Sequence, residues 1–145
     1  MNGKIEWIKV SAVVHSTEDR EKVGETIANL FPFEFKIEVS KAKGHYGNLL
    51  EYLEVEIKKE REIRDFWNNL MKLLSDQKSF LIETLEERID AQNVLHIRID
   101  KQKAYFKKIC LIEKGDSISV KVKAVTYPAR REKVVEFFKK LCSTS

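Results

Sequence analysis

Proline and glycine are scarce in this chain of 145 residues, with two and five copies, so collagen-like, linker-like and low-complexity architectures are excluded. Cysteine is scarcer still. Cys110 and Cys142 cannot build a disulfide framework and sit in no CxxC or Cys/His spacing, so they read as reduced thiols with no structural metal. No apolar run approaches the roughly 18 residues of a membrane span. The opening Met1-Asn2-Gly3-Lys4-Ile5-Glu6 lacks the apolar stretch of a secretory signal, and the expectation is a cytoplasmic protein. Catalytic signatures are missing too: there is no nucleophile elbow, P-loop or GxGxxG, and histidine occurs only at positions 15, 45 and 96.

What is present is a core and an uneven charge. Hydrophobic residues make up 43% and charged ones 34% of the chain, a composition that buries about two-thirds of its surface as one domain, residues 1–145. The net charge of +4 is not evenly spread. Residues 1–100 hold 15 Lys+Arg against 19 Asp+Glu, whereas residues 101–145 hold 12 against 4. A basic block of this kind suits a polyanion, because neutralised phosphates release their counterions. On charge alone, a solvated lysine surface is the favoured reading.

Period-two alternation predicts strands at Glu6 to Val14, Phe33 to Val39, Leu53 to Ile57, Leu95 to Ile99 and Ile118 to Ala124. Each puts apolar residues on one side, so one sheet face is covered and the other wet. Helical spacing links Val23, Ile27, Leu30 and Phe31 behind a Ser16 cap, ending at Pro32. A stronger stripe runs through Ile63, Phe66, Trp67, Leu70, Met71 and Leu74. A break near Ser75 precedes a second helix with Ile82, Leu85 and Ile89, and a last helix with Val134, Phe138 and Leu141 starts just after Pro128. The expected order is β-α-β-β-α-α-β-(β)-β-α, an α+β two-layer sandwich with a mainly antiparallel sheet and helices on one face. An internal echo aligns Ile8-Lys9-Val10 with Val120-Lys121-Val122, and Arg20-Glu21-Lys22-Val23 with Arg131-Glu132-Lys133-Val134.

Two segments combine the chemistry of nucleic-acid contact. Gly44-His45-Tyr46-Gly47-Asn48 reads as a hairpin loop, and His45, Tyr46 and Asn48 beside Lys41 and Lys43 offer a ring, an amide and cations. Asp100 to Lys108 interleaves Lys101, Lys103, Lys107 and Lys108 with Tyr105 and Phe106. Arg130 and Arg131 open the last helix, whose positive end favours phosphate. His15 and His45 would share a sheet edge, but without an evident acid or third ligand a contact role outweighs catalysis.

Several segments carry a resemblance. His15-Ser16-Thr17-Glu18-Asp19, Glu21-Lys22-Val23, Gly44 to Asn48, Leu85-Glu86-Glu87-Arg88-Ile89-Asp90, Arg98-Ile99-Asp100-Lys101-Gln102 and Tyr127-Pro128-Ala129 occur in this order. Together they resemble archaeal RNA-binding proteins described as predicted exosome subunits, with a double-stranded-RNA-binding-like or ribosomal-protein-like fold. Leu49 stands where the resemblance leads one to expect proline. The resemblance implies a non-catalytic RNA-binding protein of the cytoplasm that needs no cofactor and works as an accessory of RNA processing or degradation. RNA and exosome subunits would be its partners. The alternative is a protein–protein scaffold or homodimerisation module.

Overall fold

The computed structural model describes residues 3–43 and 49–145. Its five strands are β1 (Gly3–Val14), β2 (Glu38–Lys43), β3 (Leu49–Ile57), β4 (Val94–Asp100) and β5 (Ser117–Thr126). They form one sheet in the order β2-β3-β1-β5-β4, with every adjacent pair antiparallel. The helices are α1 (Arg20–Ala28), α2 (Glu60–Leu73), α3 (Lys78–Glu83), α4 (Leu85–Arg88), α5 (Lys101–Tyr105) and α6 (Arg131–Thr144). This is the expected α+β sandwich.

Alternation explains the layers. Ile8, Val10, Ala12 and Val14 share a buried face with Leu53, Val55, Ile57, Leu95, Ile97, Ile99, Ile118, Val120 and Val122. Onto it α2 lays Phe66, Trp67, Leu70 and Met71, spaced to fall on one helical side. Glu60 and Glu62 meet the positive end of that helix, and the Trp67 indole donates to the Ser145 hydroxyl at 3.2 Å. Truncating a side chain such as Phe66 here removes on the order of 3–5 kcal/mol. Helix α6 adds Val134 and Phe138 to the same core. Cys142 lies in that core, where burial pushes its thiol up to about 12, while Cys110 stays partly exposed.

The internal echo has a geometric counterpart. Ile8 pairs with Val122, Lys9 with Lys121 and Val10 with Val120, so the echoed triplets face each other antiparallel about the two lysines. Each strand is followed by a helix that packs on the sheet.

Five expectations need correction. Phe33 to Ile37 alternates in burial but joins no ladder, and β2 begins only at Glu38. The reason is aromatic packing. Phe31 stacks on Phe35 at 4.2 Å between centroids and meets Phe33 and Phe66 at 5.7 and 4.8 Å, drawing the segment off the sheet towards α2. The α1 cap is Asp19, accepting from the Glu21 N–H at 3.0 Å, because a turn closed by Glu18 N–H on the His15 carbonyl delays the helix past Ser16. The helix stops at Ala28, ahead of Pro32, and Asn29 donates to the Ala104 carbonyl at 2.8 Å. The bracketed strand before β5 is a single bridge, Ile99 to Leu111, and α5 occupies that stretch. Helix α6 starts at Arg131, three residues past Pro128.

Candidate nucleic-acid interface

One end of the sheet gathers the end of β1, the end of β2, the start of β3, the end of β4 and the start of β5. Here Asp100 closes β4 and caps α5, accepting from the Lys103 N–H at 3.1 Å. Lys101 therefore starts the helix pointing inward. Its side chain is 3% exposed, and its ammonium donates to the Val13 carbonyl at 2.8 Å, to Glu18 at 2.9 Å and to Asp116 at 2.7 Å. All three donors are used.

Lys101 thus departs from the surface role expected of it: it ties β1, the β1–α1 turn and the start of β5 together. The His15 ring lies 3.5 Å from Asp116 and 4.0 Å from Glu18. His15, Glu18 and Asp116 converge as three metal ligands would, yet the lysine ammonium already sits between both carboxylates. The cluster has its cation.

The rest of the segment turns outward. Lys107 adopts a left-handed backbone with φ of 64°. Its N–H bonds the Ala104 carbonyl at 3.0 Å and the Lys108 N–H bonds the Lys103 carbonyl at 3.0 Å, the paired bonds of a Schellman cap made without glycine. A non-glycine residue there costs about 1 kcal/mol. The outcome is a fixed knob: Lys103, Lys107 and Lys108 are exposed, Phe106 is 73% exposed, and Tyr105 meets it edge-on at 5.1 Å. Beside the knob a cleft of about 390 Å³ opens towards α1, lined by Thr17, Lys22, Gln102 and Tyr105.

Lys41 and Lys43 are exposed on β2 at the same end of the sheet. Lys41 stands opposite Glu51, whose carboxyl is held below its ordinary range chiefly by the hydrogen bond from Arg20. His45, Tyr46 and Asn48 lie outside the described residues. Arg130 and Arg131 are at the opposite end, past Thr126, separated from the start of β5 by nine residues of strand or roughly 30 Å. Arg131 is moreover committed, donating to the carbonyls of Glu86 at 2.7 Å and Asp90 at 3.3 Å. The lysines and the arginines do not form one site.

The open face carries cations that the segment-by-segment reading passed over. Lys9, Lys121 and His96 make one row across β1, β5 and β4, with Arg98 and Lys123 on either side of it. Their signal was the wet half of each alternation. His96 contacts Asp90 at 2.7 Å. Partial burial works against the charged form of Asp90, but bonds from His96 and the N–H groups of Val94 and Gln92 hold it below the ordinary carboxylate range.

Residues 7–124 match the family model described as RNA binding. The chain is 38% identical to the RNA-binding protein PAB1135 of Pyrococcus abyssi over 144 residues, 94% of each chain. It belongs to this RNA-binding family. The crystal structure of protein AF2318 from Archaeglobus fulgidus, 66% identical, superposes with a TM-score of 0.92 and covers 96% of this chain and all of that one. The structure of Mth689 from Methanothermobacter thermautotrophicus follows, at 33% identity and a TM-score of 0.80, covering 95% of this chain and 98% of that one. Both are described as DUF54 proteins. The stretch matched by the RNA-binding family contains the α5 knob and the open-face lysines, and stops before Arg130 and Arg131.

Proposed function

We propose that this protein binds RNA without transforming it, holding the phosphate backbone at the α5 end of the sheet through Lys103, Lys107 and Lys108, with Lys41 and Lys43 extending the contact along β2. The observation that carries this reading is the knob: two aromatic rings and three exposed lysines on a turn that a buried, fully bonded Lys101 anchors to the sheet. A ring left exposed gains little from folding and gains a partner when an unpaired base stacks on it. The name of the Pyrococcus abyssi relative supports the same ligand.

The wider role we propose is that of an accessory factor of RNA processing or degradation in an archaeal cytoplasm, alongside the exosome. No helix among the described residues is long and apolar enough to cross a membrane. Filter binding of the purified protein to structured RNA between 50 and 200 mM salt tests the core of this reading. Three phosphate contacts at a slope of about −0.7 each weaken binding about twentyfold over that range. A flat response, or no retention at low salt, overturns it.

A further inference from the structure

The open face of the sheet holds a charge arrangement that folding alone does not favour. Lys9 and Lys121 stand directly opposite each other on adjacent strands, and like charges so placed destabilise a sheet. The carboxylate near Lys9 is Glu56 at 3.5 Å, and among the described residues none lies within 4.0 Å of the Lys121 ammonium. Lys123 stands one row further along, its ammonium donating to the Gln92 carbonyl.

A shallow groove of about 380 Å³ runs over this row, lined by Trp7, Lys9, Ser11, His96 and Lys121 among others. That volume is in the range of small-ligand sites. Trp7 reaches it by plain alternation with the buried Ile8 and Val10, while a bulge at Glu6, between the pairs Ile5–Ala124 and Trp7–Lys123, turns Ile5 to the core. The Lys9 ammonium lies 4.7 Å from the Trp7 ring centre.

From these observations we propose that the open face is a second RNA contact, taking a single-stranded segment with phosphates on Lys9 and Lys121 and one base against Trp7. The inference rests on the RNA reading above and assigns it a further surface. Charge sets the path. Glu54 and Glu56 stand on the β3 side of the groove and Asp90 is paired with His96, whereas Lys121 points to solvent on β5 between Lys123 and Arg98, which donate to the Gln92 and Glu113 carbonyls but keep their charge, so the backbone follows β5 and β4. Six residues of β4 separate Val94 from Asp100, roughly 20 Å of strand. One strand of RNA can therefore leave the α5 knob and run down this face to Trp7. An aromatic ring on an open sheet with cations beside it is how exposed bases are commonly held.

Ten-nucleotide oligouridine tests the proposal. Trp67 is buried, so quenching of tryptophan fluorescence on binding reports Trp7. The Lys9→Ala/Lys121→Ala variant is expected to bind the oligonucleotide at least tenfold more weakly, with a salt slope lower by about 1.4. Its melting temperature should stay close to the parent's, since the like-charge pair and the Lys9–Glu56 ion pair are lost together. If this variant binds as the parent does while a Lys103→Ala/Lys107→Ala/Lys108→Ala variant loses RNA, the open-face contact is wrong and the RNA reading stands. If the parent retains no RNA at low salt, the RNA reading itself fails. A loss of self-association by sedimentation with RNA affinity unchanged assigns the face to a second copy of the chain and overturns the proposal.

Discussion

The two ends of the sheet are built from the same five strands but stabilised differently. At the α5 end, a buried ammonium with three oxygen partners locks Val13, Glu18 and Asp116 together, and the turn it anchors displays lysines and aromatic rings. At the α6 end, close packing does the work: a Cβ on Gly3 would stand 3.0 Å from both Phe137 Cδ1 and Thr126 Cγ2, and the Arg131 guanidinium is spent on two backbone carbonyls. Positive charge is present at both ends. What differs is whether the charge is consumed by the fold or left to solvent, and only the second kind is available to a polyanion.

Breaking the charged lock is expected to have the largest effect. Lys101→Ala leaves Glu18 and Asp116 facing each other without their cation, which for a buried pair costs about 3–5 kcal/mol. Both acids keep some contact with water, at 23% and 32% exposure, so a loss of about 2–3 kcal/mol in denaturant unfolding is expected. A loss below about 0.5 kcal/mol would mean that the network is decorative.

The comparison sharpens in RNA binding. The triple variant Lys103→Ala/Lys107→Ala/Lys108→Ala should lower the salt slope by about two and weaken binding at low salt by at least tenfold. Arg130→Ala/Arg131→Ala should leave the slope within about half a unit of the parent. Equal losses from both variants in filter binding would show that the ends are not divided as described.

Smaller effects probe the packed end. Gly3→Ala forces Phe137 or Thr126 to give way, and such overpacking costs about 1 kcal/mol, read as a lower denaturant midpoint. Asp90 lies between the packed end and the open face. Its folded pKa lies below the ordinary value, so the stability it contributes is complete above the ordinary carboxylate range and is lost as pH falls through the folded value. Asp90→Asn should flatten the fall in unfolding free energy as pH drops below the ordinary carboxylate range, read from denaturant unfolding across acid pH. An unchanged slope would show that the His96 and backbone bonds do not stabilise the charged form.

Both faces of the sheet were legible in the sequence. Alternation in β1, β3, β4 and β5 depends on the two-residue pleat alone, so Ile8, Val55, Ile97 and Val120 could be assigned to the core before any neighbour was known. The stripe of α2 was equally plain, because Phe66, Trp67, Leu70 and Met71 recur at helical spacing. Alternation misled at Phe33 to Ile37, since it records burial and not hydrogen bonding. The turn after α5 was hidden for another reason. A left-handed cap is announced by glycine, and here a lysine takes it.

Local pattern thus determined the secondary layers, the single covered face and the basic character of the last third of the chain. It did not determine which cations share a neighbourhood. Lys101 and Lys103 are two residues apart, yet one is sealed against Glu18, more than eighty positions away in sequence, and the other is free in solvent. Lys9 and Lys121 are 112 positions apart and stand side by side, while Arg130 and Lys108 belong to one basic block and lie at opposite ends of a sheet. The physical reason is range. Periodicity arises from bonds within a few residues, whereas the strand order β2-β3-β1-β5-β4 and the register within it are settled by packing between distant segments, and only that packing decides which charges are paired and which remain exposed to solvent.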